Sequence, residues 1–377
     1  MDRNPRIAII GAGMGGLAAA AALRGVGFQV HVYEQAEQFA RVGAGIQMSP
    51  NAMRELRGLG LEETIRRTAF QPETWNNREW DSGAEKFELT LGRRAEAQFG
   101  APYLQMHRGD LHAALLSAVP ATDISLNKRL VDVAPLPNGC GLSFADGTEG
   151  EADLIVGADG VHSRIREILH GAERPTATGR VAYRATFPAS RLRQPVGECT
   201  KWWGPDRHIV IYYVTAARDE VYFVTSLPDP DWAHESWSAT GDMAVVRDAF
   251  AGFHDEVREV LRACETVHRW AILDREPLEN WFGNGSVLLG DAAHPMTPYM
   301  AQGAAMAIED GVMLARALQQ SADINGALEV FEATRKARTA QVQAVSHANT
   351  WMRQETDPTW CYGYDPWTEP LSATGVQ

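Results

Sequence analysis

The sequence predicts an α/β chain, in which one unit built on a parallel sheet is interrupted by a second, mostly β unit. Three observations carry this reading. The N-terminal segment reads as strand, helix, strand. Two later segments, 151–167 and 285–310, each run an apolar strand into a glycine–aspartate loop. Between them, residues 176–274 hold several runs rich in β-forming residues.

Composition bounds the rest. A chain of 377 residues that is 45% hydrophobic can bury a large core and suggests about two domains. A formal net charge of −13 argues against a nucleic-acid partner. Residues 1–10, "MDRNPRIAII", lack the cationic start and apolar core of a signal peptide. The apolar run from Ile7 to Leu23 is broken by four glycines and is a poor membrane span. The four cysteines, Cys140, Cys199, Cys264 and Cys361, form no CxxC and no metal-ligand spacing. The expectation is a cytoplasmic protein in a reducing compartment, without a metal, a membrane or nucleic acid, and either monomeric or homodimeric.

Each element follows from local chemistry. Ile7 to Ile10 form a continuous apolar strand. Gly11, Gly13 and Gly16 follow at G-x-G-x-x-G spacing, then an alanine-rich helix to about Arg24, ended by Gly25 and Gly27. The strand "FQVHVYE" closes the unit at Glu34, 18 residues past the third glycine. In such a unit Gly11 permits the tight turn. Gly13 lets the backbone approach a pyrophosphate, and Gly16 lets helix and strand pack closely. The helix N-terminus offers amides to phosphate, and Glu34 is placed to accept hydrogen bonds from ribose hydroxyls. This is a Rossmann-type dinucleotide site, and the unit alone does not choose between flavin and nicotinamide. In "EADLIVGADGVHSRIRE" a strand from Asp153 to Val156 leads to Asp159–Gly160 and a helix. In "GSVLLGDAAHPMTPYMAQGAAMAIED" the strand Val287 to Leu289 leads to Gly290–Asp291, a proline-stiffened loop and a helix from about Ala304. His294 reads as a structural histidine fixing that loop. In "CTKWWGPDRHIVIYYVTA" and "DEVYFVTSLPD", two β-rich runs separated by a polar turn, His208, Val210 and Tyr212 share one face. At about 3.3 Å per residue, His208 and Tyr212 stand roughly 13 Å apart, enough to bracket one aromatic ring with its substituents, although the residues alone favour Tyr212 as a core aromatic and His208 as a rim residue.

The N-terminal unit, the GADG segment and the GD segment together resemble the class A flavoprotein monooxygenases, the aromatic-ring hydroxylases typified by para-hydroxybenzoate and salicylate hydroxylases. "RVGAGIQMSPNAMRELRGLGL", "MHRGDLHAAL", "KWWGPDRHIVIYYVT" and "VSHANTWMRQETDPTWCYGYD" are similar to the branch acting on hydroxynicotinates, along nearly the whole chain. The resemblance implies a Rossmann-type FAD-binding domain with an inserted β-sheet substrate domain. It implies FAD as cofactor, with NADH and O2 as co-substrates, and a small aromatic acid as substrate. Arg108, Asp159, Asp291, Pro295 and Gly303 match cofactor positions, Asp291 on the ribityl hydroxyls. Cys199, His208 and Tyr212 match positions lining a pyridine-substrate pocket, with His208 and Tyr212 as the catalytic relay. The expected FAD-binding domain is 1–72, 101–175 and 275–348. The substrate domain is 73–100 and 176–274, and 349–377 is a C-terminal tail.

The implied chemistry is hydroxylation of 6-hydroxynicotinate or a close analogue at the carboxyl-bearing carbon, through a flavin C4a-hydroperoxide, with loss of the carboxylate. Two substrate-binding positions depart from the branch. Gln47 and Tyr299 stand where its members carry histidine, and neither is a competent base at neutral pH. Salicylate-, para-hydroxybenzoate- or aminobenzoate-type hydroxylation therefore stays open. An NAD-dependent dehydrogenase is the alternative from another class, because it would share the first β-α-β unit without needing the other two segments. The sequence has no second G-x-G-x-x-G with a following acid and no arginine cluster for a 2′-phosphate, so NADH is expected over NADPH.

Overall fold

The computed structural model describes residues 5–41, 44–230 and 239–372. Within them the chain alternates between two sheets. The first has six strands, in the order Phe282–Gly283, Ser286–Leu288, Leu154–Gly157, Arg6–Ile10, Gln29–Tyr33 and Ile124–Ser125. All neighbours run parallel except Phe282–Gly283, which folds back on Ser286–Leu288. Ile7, Ile9, Val32, Leu154, Ile155, Val156, Val287 and Leu288 are all buried, the continuous apolar pattern of strands covered on both faces. Three separate stretches of sequence thus deliver their strand ends to one edge.

The helices Met14–Gly25 and Gly303–Gln320 pack against each other. Gly311 is the contact point, since a Cβ there would meet the Ala19 backbone nitrogen at 2.6 Å. The long helix Ile324–Ala348 packs on Gly303–Gln320 and contributes Arg335 and Arg338, both buried. These cations meet Glu309 and Asp310, two carboxylates fully buried in the middle of Gly303–Gln320. Asp310 also accepts from the Gly290 amide at 2.8 Å and bonds His294 Nε2 at 2.6 Å. His294 is therefore a structural residue of the loop, as its sequence context suggests.

The second sheet has eight strands, in the order Thr240–Gly241, Val267–Asp274, Thr176–Pro188, Glu220–Pro228, His208–Tyr213, Cys199–Trp203, Thr74–Glu79 and Glu85–Thr90. It is antiparallel apart from the pairing of Cys199–Trp203 with Thr74–Glu79. One face, with Ile209, Ile211, Tyr213 and Phe223, is covered by the helices Met243–Ala249 and Asp255–Ala263. The other, with Cys199, Val210, Tyr212 and Tyr222, joins the core of the parallel-sheet unit. The run "CTKWWGPDRHIVIYYVTA" is not one strand but a hairpin. Gly204 N donates to Arg207 O at 2.8 Å, and the fold-back sets Cys199 opposite Tyr212 and Trp203 opposite His208. The tail packs against the parallel-sheet unit, with Trp351, Cys361 and Tyr362 buried in its core. Arg54 donates to the Tyr362 carbonyl at 2.6 Å.

Candidate active site

The turn after Arg6–Ile10 is built by its glycines. Gly11 has φ +103°, and a Cβ there would come within 2.4 Å of the Ala158 carbonyl oxygen. A Cβ at Gly16 would fall 2.0 Å from the Gly11 carbonyl oxygen, so the helix reaches the turn only because this residue has none. Gly13 is different. A Cβ there meets nothing within 4 Å, and Gly13 borders a large cavity. Glu34 closes the turn from the next strand, accepting from Ala12 N and Ala36 N at 2.8 Å each. Each carboxylate oxygen keeps a further acceptor site for a hydroxyl.

The cavity, about 420 Å³, lies between the strand ends of the parallel sheet and the inner face of the eight-stranded sheet. Its cofactor-side wall includes Gly13, Arg108, Gly160, Asp291, Pro298 and Gly303. Arg108 opens the helix Arg108–Ser117, whose second amide is capped by His107 Nδ1 at 3.0 Å. Burial lowers the Arg108 pKa, while Asp291 and Tyr222 act to raise it. Asp291 opens onto the cavity, and protein encloses it on its other sides. That enclosure pushes its carboxyl up, against the fields of His294 and Arg108. An unfilled cradle at Gly13, the start of a long helix at Gly303 and a cavity-facing carboxylate beside an arginine suit a dinucleotide with a hydroxylated chain. The residues present fit FAD.

The opposite wall is the sheet. His208, Val210 and Tyr212 all line the cavity, the face that their period-2 spacing defines. Burial lowers the His208 pKa well below the ordinary value, helped by Lys201, Arg180 and Arg353, so its imidazole is neutral near pH 7. Burial raises the Tyr212 phenol well above its ordinary value, with Tyr222 and Cys199 adding to the effect. Tyr212 thus exchanges hydrogen bonds as a phenol. Tyr212 and Tyr222 meet edge to face at 5.0 Å, and a Cβ at Gly45 would come within 2.8 Å of the Tyr212 hydroxyl. At the other end Tyr299 meets the His208 ring at 5.4 Å and exchanges a 2.9 Å hydrogen bond with Ser226 Oγ.

Of the residues singled out from sequence, Gln47, Arg108, His208, Tyr212, Asp291, Tyr299, Gly13 and Gly303 converge on this cavity. Others stand one layer behind. Cys199 is buried and takes a hydrogen bond from Gln47 Nε2 at 3.2 Å, so it fixes the amide. Asp159 accepts from Ser163 Oγ at 2.5 Å, Arg164 N at 2.7 Å and Ile165 N at 3.2 Å, holding the start of the helix Arg164–His170 while Ala158 and Gly160 face the cavity. The Pro295 carbonyl accepts from Gln343 Nε2 at 3.0 Å, which anchors the loop.

Two cavity cations were missed from sequence. Arg184 is buried and stacks on the Trp270 ring at 4.2 Å. Burial brings its pKa down to about 10, opposed first by Tyr222. Lys201 is buried as well, and its pKa falls to about 7, through burial first and then Arg353. The available signal was a charge on the inward face of an otherwise apolar strand, as in "CTKWW" and "RVAYRATF".

Residues 5–348 match the family described as FAD binding domain. Over 376 residues the chain is 47% identical to a 6-hydroxynicotinate 3-monooxygenase of Bordetella bronchiseptica, with 98% of each chain covered. It is 45% identical to a 6-hydroxynicotinate 3-monooxygenase of Pseudomonas fluorescens, over the same length and coverage. Among solved structures, Klebsiella pneumoniae HpxO complexed with FAD and uric acid aligns with a TM-score of 0.82 at 26% identity, covering 91% of this chain and 87% of that one. No helix among the described residues is long and apolar enough to cross a membrane. With this cavity and these relatives, the chain belongs to the FAD binding domain family, among its FAD-dependent aromatic-ring monooxygenases.

Proposed function

We propose that this enzyme hydroxylates 6-hydroxynicotinate, or a closely similar hydroxylated aromatic acid, at the carboxyl-bearing ring carbon. One oxygen atom of O2 enters the ring, the other leaves as water, NADH supplies the electrons, and the carboxylate departs as CO2. The observation that carries this reading is the bracket of His208 and Tyr212 across one cavity wall, facing Gly13, Asp291 and Gly303 on the other.

When bound, FAD would supply the hydride acceptor for NADH and the means of activating O2. Gly13 would give the pyrophosphate its backbone approach, with Gly11 and Gly16 shaping the turn and helix start behind it, and Glu34 would take the ribose. Asp291 takes the ribityl hydroxyls. The amides at the helix start at Gly303, which borders the cavity, would favour the negative charge that a flavin gains on reduction. Residues 1–72, 101–175 and 275–348 carry these cofactor duties, and 73–100 and 176–274 carry the substrate wall. Tyr212 relays the hydrogen bond that activates the ring hydroxyl, and Gln47, held by Cys199, donates to or accepts from the same edge. His208, neutral at working pH, serves as a hydrogen-bond partner at the far end, beside Tyr299.

A second reading is favoured by Gln47 and Tyr299, which give this pocket an amide and a phenol in place of imidazoles. They suit a benzene acid as well as a pyridine acid, and so keep a salicylate- or para-hydroxybenzoate-type hydroxylation open. A panel of hydroxy- and amino-substituted pyridine and benzene carboxylates, scored for NADH oxidation, CO2 release and product, separates the two. Products that all retain the carboxyl group would defeat decarboxylative hydroxylation. Turnover of a benzoate with no turnover of any pyridine acid would defeat the pyridine assignment.

A further inference from the structure

Lys201 stands in the strand Cys199–Trp203 and lines the cavity, yet it is only 2% exposed. Among the described residues no carboxylate and no hydrogen-bond acceptor reaches its ammonium. Its contact is the face of the Trp203 ring, 3.9 Å from Nζ to the centroid. A lysine this buried is almost always paired, because an isolated charge away from water is expensive.

The surroundings do not supply the missing charge. The groups whose fields act on the neighbouring His208 are Lys201, Arg180 and Arg353, all cations. Arg180 spends its nitrogens on Ser226 Oγ at 2.9 Å and the Asp206 carbonyl at 2.7 Å. The Asp206 carboxylate is half exposed and binds Arg207. The remaining polar groups at this end are the Tyr299 and Ser226 hydroxyls and the His208 imidazole, whose pKa burial lowers. A chain of net charge −13 thus keeps one enclosed corner of its substrate cavity positive.

We propose that Lys201 is the counterion of the substrate carboxylate, which it holds at the His208–Tyr299 end of the cavity. This rests on the reading that the cavity takes a hydroxylated aromatic acid, and it fixes the direction of the ring. The carboxylate is anionic before any reaction begins, so it is the group that completes an unpaired buried ammonium. The ring hydroxyl then faces the opposite end, where Tyr212 and Gln47 exchange hydrogen bonds. Tyr299, which Ser226 holds from behind, and His208 offer hydrogen bonds to the same carboxylate. Arg184 is the rival cation, but its guanidinium sits over the Trp270 ring and shares its surroundings with Tyr222, Arg108 and Tyr212.

The test compares acids with their neutral carboxamides. The FAD-loaded parent, Lys201→Met, Lys201→Gln and Arg184→Met are titrated with 6-hydroxynicotinate and 6-hydroxynicotinamide, and with the salicylate and 4-hydroxybenzoate pairs, following the flavin absorbance. In the parent the acid should bind more tightly than its amide. Both Lys201 variants should weaken acid binding by about 30-fold or more, the scale for unpairing a buried charge, and leave amide binding within about 3-fold. An acid preference that survives in both Lys201 variants, or disappears only in Arg184→Met, overturns the assignment while leaving the enzyme an aromatic-acid monooxygenase. If no acid perturbs the parent flavin spectrum, the substrate reading falls and the assignment falls with it.

Discussion

Replacing Lys201 by methionine should stabilise the ligand-free, FAD-loaded protein at pH 6 and lose that advantage as the pH rises. Burial lowers this ammonium from 10.5 to about 7. Between those values the unfolded chain holds the proton and the folded chain does not, so parental stability rises with pH across that window. Below pH 7 both states are protonated, and the folded state carries the whole cost of the buried charge. At about 1.4 kcal/mol per pH unit between the two pKa values, that cost is on the order of 5 kcal/mol. Roughly 3 kcal/mol of it is recovered between pH 6 and pH 9. Methionine has nearly the same length and no charge, so the variant is spared the cost. It does forfeit the contact of Nζ with the Trp203 face, about 0.5–2 kcal/mol. The expected result is a variant more stable than the parent by a few kcal/mol at pH 6, with the difference smaller by roughly 3 kcal/mol at pH 9. The assay is urea unfolding of both proteins at saturating FAD, followed by tryptophan fluorescence at several pH values. Comparing the two proteins at each pH cancels other titrating groups. A stability difference that does not change between pH 6 and pH 9 would refute the reasoning, because Lys201 would then keep its charge in the fold throughout.

Gly13→Val should lower FAD occupancy of the purified protein, since the side chain enters the open cradle rather than a packed contact, and the flavin-to-protein absorbance ratio reads this directly. Asp291→Ala should weaken FAD binding by roughly 5- to 150-fold, corresponding to about 1–3 kcal/mol for unpaired hydroxyls; an unchanged dissociation constant would remove Asp291 from the cofactor. Tyr212→Phe should cut turnover by about 10- to 10⁴-fold with flavin content intact, and full activity would exclude the phenol from the relay. Arg335→Met leaves Glu309 and Asp310 short of a buried cation and should cost about 3–5 kcal/mol in unfolding experiments, where a neutral result would contradict the pairing.

The parallel-sheet unit was legible because its signals are local. Ile7 to Ile10, the three spaced glycines and Glu34 each state their role within a short window, and the strand ends at Gly157 and Leu288 repeat the pattern. The spacing of His208, Val210 and Tyr212 gave the cavity face for the same reason, since period 2 needs only a strand. What could not be read was what depends on pairing across the chain. The hairpin at Gly204–Arg207 sets Cys199 against Tyr212 and turns Lys201 inward, and nothing adjacent to Lys201 in sequence announces that burial. Arg184 is hidden in the same way, in a strand whose partners are Glu220–Pro228 and Val267–Asp274. Asp159 shows the reverse. A loop aspartate beside glycine looks like a ligand in sequence, while its oxygens here hold three local donors.

The acids Glu309 and Asp310 connect these two levels. Their helix borders the cavity through Gly303, Ala304 and Ala307, and two turns further on it is pinned by Arg335 and Arg338 from the next helix. Asp310 reaches back to the Gly290 amide, directly before Asp291. Glu309 accepts from Asn51, and Asn51 also donates to Gln302, whose own amide reaches Ser49. Ser49 follows the strand that carries Gln47. One buried ionic cluster therefore fixes three cavity walls at once: the Asp291 loop, the helix start at Gly303 and the Gln47 strand. Breaking a buried pair is costly because the remaining charge has no water to turn to. The same physics acts with opposite outcome at Lys201. There the charge meets no carboxylate among the described residues, and the proposed substrate carboxylate would complete it.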